Sequence, residues 1–296
     1  MNITRKSIGA ATVVLGALAV VNAAPSLANH AWSTYHWQTS TATTDGGGVA
    51  KPDVIDNTTG VWNKHVADAM IDWNSSDHIS SGTTSGTTNQ RRCPMTSGTI
   101  QVCNTTYGQT GWLGIASISI SGGHIVAGST KLNDTYFNTS PYNTSAWRQL
   151  VACQEIGHDY GLGHQDENFN NTNLGTCMDY TGDPDGSIKN QLPNLSPNAH
   201  DYAQLAEIYN HSESGGGSGG GGAPGGGKGG GKGKPLGIES GNSPADWGRA
   251  IGRDGAGRDN LYVRNVNGYT VVTHVLWAIG EGPGPRQHSG DHHFDH

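Results

Sequence analysis

The sequence predicts an α+β fold followed by a smaller β-rich unit. Extended segments with alternating side chains dominate residues 99–133, and two stretches with apolar residues at steps of three and four flank them. A glycine tract then sets off the last 60 or so residues. Strands and helices do not alternate regularly, which excludes a repeating βαβ barrel.

Residues 1–28 read as a signal peptide: Arg5 and Lys6 precede an apolar run over 8–21, and small residues suited to cleavage end at Ala23 or Ala28. That run is shorter than the roughly 20 residues that cross a bilayer. A secreted chain with no membrane attachment after signal removal is therefore expected. A main domain is expected over 29–213. Within it, 31–37 has the aromatic, extended character of a strand. Trp62, Val66, Ala69, Met70 and Trp73 line one side of a helix over 59–73. Segments 99–103, 112–120 and 124–133 read as strands, with Gly122 and Gly123 turning the last two into a hairpin. Ser145 is placed to cap a helix whose buried side includes Trp147, Leu150, Val151, Gln154 and His158. Gly161 and Gly163 end it. Ser196 and Pro197 start a last helix that buries Tyr202, Leu205, Ala206 and Tyr209.

Residues 214–235 are nearly all glycine with Ser, Ala, Pro and Lys, so they have little to bury and read as a flexible linker. Beyond it, 261–266, Asn267-Gly268 and 269–277 form a hairpin signal, and 250–253 offers a third strand. So few strands make a marginal core, so the unit at 236–280 is expected to dock on the main domain or on something outside it. Residues 281–296 read as a disordered tail containing histidines.

The formal charge is −7, with 17 Lys and Arg, so the chain has no basic footprint for nucleic acid or an anionic membrane. Export permits disulfides, and Cys93, Cys103, Cys153 and Cys177 allow three pairings. Cys93 with Cys103 across a short loop, and Cys153 with Cys177, is the favoured set. No close cysteine pair has zinc-finger spacing.

Residues 154–164, Gln-Glu-Ile-Gly-His-Asp-Tyr-Gly-Leu-Gly-His, match H-E-x-x-H-x-x-G-x-x-H everywhere but the first position. Positions 154 and 158 are one helical turn apart and share a face. Gly161 lets the chain turn, so that His164 can approach the same point from outside the helix. Cys177-Met178-Asp179-Tyr180 resembles the Met-turn of metzincins, and 195–209 resembles the closing helix of matrixins. Together these segments resemble the metzincin clan of zinc metallopeptidases, in a matrixin-like secreted form.

That resemblance implies a metzincin-like domain with a mixed twisted sheet, an active-site helix, a Met-turn and a C-terminal helix. It also implies a zinc-dependent endopeptidase acting on a protein or peptide substrate. Gln154, His158 and His164 would hold Zn2+, and Glu155 would be the general base for a water whose pKa the metal lowers. Tyr180 would stabilise the oxyanion or help hold the metal, and Met178 would floor the site. Trp112, Leu113, Gly114, Ile115 and Ala116 would offer a sheet edge on which an extended substrate lies as an added strand. No cysteine precedes Cys93, so a cysteine switch is not expected. Gln154 departs from the pattern, because an amide oxygen suits zinc less well than imidazole does. The competing expectation is a secreted binding module on an impaired peptidase fold. Asp166, Glu167, Asp183 and Asp185 are candidate Ca2+ ligands, but acidic loop residues are more often simply solvated.

Overall fold

The computed structural model describes residues 30–43, 47–211 and 233–284. The signal segment, most of the glycine tract and the terminal histidines lie outside the described residues. In chain order the strands are β1 (His36–Trp37), β2 (Thr39–Ala42), β3 (Gly48–Ala50), β4 (Asp53–Asp56), β5 (Thr83–Ser85), β6 (Thr99–Thr105), β7 (Trp112–Ser121), β8 (His124–Asn133), β9 (Arg249–Arg253), β10 (Asp259–Val266) and β11 (Tyr269–Trp277). The helices are α1 (Trp62–Trp73), α2 (Asp134–Phe137), α3 (Ser145–Asp159), α4 (Ala199–Ile208) and α5 (Pro244–Trp247).

Among the described residues the main sheet has nine strands, in the order β5-β4-β6-β8-β7-β11-β10-β9, with β1 beside the start of β8. β5, β4, β6 and β8 run parallel, whereas β8, β7, β11, β10 and β9 are successively antiparallel. The architecture is thus a mixed sheet with few helices, as the α+β reading expects. β2 and β3 pair separately.

α1 and α3 cover one face of the sheet. The stripe in α1 buries Trp62, Val66, Ala69, Met70 and Trp73, and the Trp73 indole N–H donates to the Cys153 carbonyl at 3.0 Å, which fixes α1 against α3. α3 starts at the Thr144 side chain, which accepts from the Trp147 N–H, one residue before the cap the sequence suggests. Every residue of α3 from Gln149 to Asp159 is buried. It can lie so close to the sheet because Gly114 and Gly128 face it. A Cβ on Gly114 would stand 2.5 Å from Glu155 Oε1, and one on Gly128 would stand 2.8 Å from Asp159 Oδ1.

Three expectations change. Only residues 36–37 of the segment 31–37 form a strand, because Ser33 takes a positive φ of 55° and turns the chain; Ala31 makes an isolated bridge to Leu162. α1 begins at Trp62 rather than 59, since Gly60 at φ 65° interrupts the approach. The segment 112–116 is no open edge: β11 pairs with β7 from Thr270↔Ile120 to Trp277↔Trp112 and makes it an interior strand.

The C-terminal strands share the cores of the main sheet. Trp112, Ile115 and Tyr107 pack with Trp247, Tyr262, Val275 and Trp277. Met95 and Ala127 pack with Ile238 and Val271. Lys131 is buried on this second face, where its ammonium donates to the Gly241 carbonyl at 2.9 Å and to Asn242 Oδ1 at 3.2 Å; burial lowers its pKa to about 8. Disulfides join Cys93 to Cys103 and Cys153 to Cys177. The second ties α3 to the turn carrying Met178. Closing its 24-residue separation contributes about 3 to 4 kcal/mol in the chain-entropy model.

Candidate metal centre

Three imidazoles meet beneath β7: His158 from α3, His164 from the loop after it, and His274 from β11. Their potential ligand atoms all lie within 4.8 Å of one another. Gly161, at φ 94°, makes the reversal that brings His164 back, with the Gly161 N–H donating to the His158 carbonyl at 2.9 Å. His274 arrives by strand register, opposite Ala116 of β7.

In each ring one nitrogen is held. His158 Nδ1 lies 2.7 Å from the Leu162 carbonyl oxygen, which can only accept, so Nδ1 carries the proton and Nε2 keeps its lone pair. His164 Nδ1 lies 2.7 Å from Glu167 Oε1, which orients that ring in the same way. The two Nε2 atoms are 3.0 Å apart. Two lone pairs can meet at that distance only with a proton or a cation between them. Burial, and then the neighbouring His164, push the His158 pKa well down, so the ring resists a proton. His274 Nε2 lies 3.2 Å from the Tyr180 hydroxyl, while its Nδ1 is buried without a hydrogen-bond partner. Its pKa is also well below the usual value, through burial first and then His158 and His164. Neutral imidazoles with one fixed nitrogen suit a zinc ion, so these residues fit that group.

Glu155 is fully buried, and neither carboxylate oxygen has a hydrogen-bond partner. Its Oε2 is 3.6 Å from His274 Nδ1. Burial raises the Glu155 pKa and lowers that of His274, so it works against charge on either member of this pair. Burial also pushes the Tyr180 phenol well up, so it stays protonated, and its ring sits 4.5 Å from that of His164. Trp32 stacks on His158 at 5.0 Å and 7°. Met178 is buried against α3, close enough that a Cβ on Gly157 would lie 2.7 Å from its sulfur.

Gln154 is buried one turn before His158. Its amide Nε2 donates to the Cys177 carbonyl at 2.8 Å, and its Oε1 is without a hydrogen-bond partner. Among the described residues the acidic loop side chains form no group of three placed to share one metal ion. Asp166 and Asp185 accept from nearby backbone N–H groups, Asp183 from those of Ile188 and Lys189, and Glu167 from Asn260 besides orienting His164. A cavity of about 340 Å³ lined by His36, Gln204, Glu207 and His211 includes none of the three clustered histidines. Candidate metal donors converge at the histidine cluster instead. His274 is the candidate ligand that sequence reasoning missed. Its signal was a histidine within the largely apolar, strand-forming run Val271 to Trp277.

No protein-family model matches this chain, and neither does any curated protein. Among solved structures it is similar to myroilysin, with 13% identity, a TM-score of 0.33, and coverage of 61% of this chain and 98% of that one. It is also similar to high choriolytic enzyme 1, a hatching enzyme zinc-protease from the medaka fish Oryzias latipes, with 15% identity, a TM-score of 0.30, and coverage of 60% and 94%. Likenesses this slight carry no argument about activity, which must rest on the site.

Proposed function

We propose that this chain is a secreted zinc-dependent peptidase of metzincin type, whose metal is held by His158, His164 and His274, with Glu155 as general base. One observation carries the reading: three imidazoles, each with a nitrogen left for a ligand, converge beside a buried carboxylate that nothing else engages. A zinc ion there supplies Lewis acidity and lowers the pKa of a water molecule toward neutrality.

The protein's own groups do the rest. Glu155 is held on α3 beside Gly114, and its raised pKa makes it a better proton acceptor than a solvated carboxylate. It takes the proton of the attacking water and returns it to the leaving amine. Tyr180 accepts from the His274 Nε2–H, which leaves the Nδ1 lone pair of that ring for the ion. Met178 packs against the helix at Gly157, one residue before His158. Gln154 lies one turn before His158, but its amide nitrogen is committed to the Cys177 carbonyl and it is not among the three ligands.

The test is to measure zinc content and cleavage of an unstructured protein in the wild type and in Glu155→Gln. Zinc near one equivalent in both, with cleavage only in the wild type, supports the enzyme. Absence of cleavage in both, with or without bound zinc, would refute the enzyme and favour the binding-module reading.

A further inference from the structure

β11 occupies the place where an extended peptide would pair. Its register with β7 runs Thr270↔Ile120, Val272↔Ile118, His274↔Ala116 and Leu276↔Gly114, so the backbone groups along that side of 112–120 are already used. Side chains reinforce the pairing, since Ser117 Oγ and Thr273 Oγ1 lie 2.9 Å apart in the interior. Val272 and Leu276 join the same core as α3, and they flank His274 on the face that looks toward His158. A second link reaches across the site: Asn260 of β10 donates to Glu167 at 3.1 Å, and Glu167 in turn orients His164. The strand that closes the edge therefore carries one ligand, and its neighbour braces another.

We infer that the metal latches the C-terminal hairpin: binding of one ion by His158, His164 and His274 and docking of β10–β11 on β7 are a single linked equilibrium, and the latched form excludes extended peptides from the β7 edge. This rests on the metal assignment proposed above. An ion bound by three imidazoles meets its full ligand set only when β11 is docked. It must then favour the docked state by the factor 1 + [L]/Kd. Free zinc at about one hundred times its Kd shifts the opening of the hairpin by about 100-fold.

Hydrogen exchange of the full-length protein, with zinc alone as ligand, tests this. Zinc should slow amide exchange in 112–120 and 259–277 by about 100-fold at that concentration, and slow it far less in α1. In His274→Gln, and in His274→Ala as a second variant should the first fold poorly, this selective protection should vanish while exchange in α1 matches the wild type. If zinc binds at one equivalent yet protects all elements equally, or protects the hairpin as well in the His274 variants, the latch is wrong and the metal site stands. If no zinc binds to the wild type, the metal assignment itself fails.

Discussion

Replacing Gly157 by alanine sets two opposed effects against each other. Glycine inside a helix costs about 1 kcal/mol relative to alanine, so an exposed site would gain that much. Gly157 is not exposed. An added Cβ would lie 2.5 Å from Cζ2 of Trp73 and 2.7 Å from the sulfur of Met178. Neither neighbour can give way easily. Trp73 is fully buried, and its indole is tethered to the Cys153 carbonyl one turn earlier on the same helix. Met178 is flexible in itself, but it follows a cysteine disulfide-bonded to that helix. Overpacking of this kind costs about 1 to 3 kcal/mol and sometimes more. The clash should outweigh the propensity gain, for a net loss of up to about 2 kcal/mol. For a domain of this size the melting temperature should fall by about 2 to 4 °C per kcal/mol. Thermal melts by circular dichroism, with and without zinc, would measure it. A variant melting at or above the wild type would show that α3 is not packed as closely on Trp73 and Met178 as described.

Glu155→Gln should keep zinc near one equivalent while cleavage drops by about a hundredfold or more, as the loss of a general base requires; undiminished cleavage would remove Glu155 from the mechanism. The same variant has a pH signature in the metal-free protein. Because burial raises the folded pKa above 4.5, the folded state binds the extra proton, and the wild type loses stability as pH rises through that window. Urea melts should therefore show the stability of Glu155→Gln relative to wild type increasing above pH 4.5 and levelling off at higher pH. His274 works in the opposite sense. Its folded pKa lies below 6.5, so the unfolded chain takes up the proton first and the wild type weakens as pH falls below 6.5. His274→Gln should gain on the wild type over that range, and a pH-independent difference would contradict the burial of that imidazole.

Local signals reached much of this architecture. α3 and its turn were legible because helical spacing and a positive-φ glycine act within a few residues, and the hairpin at Asn267-Gly268 was legible for the same reason. Both disulfides follow the favoured pairing. The approach through 31–37 was misread, since nothing in an aromatic, extended pattern announces a positive φ at Ser33. The larger omission was the partner of β11. Strand pairing between residues 112–120 and 270–277 joins positions 150 or more apart across a glycine tract, and no periodicity encodes which edge a hairpin will choose. Without that pairing, position 274 cannot be connected to 158 and 164. Its register did leave a trace: Val272, His274 and Leu276 share one face, and two of the three are core residues. A histidine on such a face asks for a partner.

Zinc titration of the wild type beside His274→Ala and Gln154→Ala, by calorimetry on the metal-free proteins, addresses the assignment of the third imidazole most directly. Structural zinc sites bind with about 10 to 16 kcal/mol over three or four ligands, so losing one imidazole should weaken binding by at least about a hundredfold. His274→Ala should show that loss. Gln154→Ala removes a side chain whose amide nitrogen already serves the Cys177 carbonyl, and its zinc affinity should stay within a few fold of the wild type. The reverse pattern, with affinity lost at Gln154 and kept at His274, would return the third ligand to α3 and contradict the three-histidine centre.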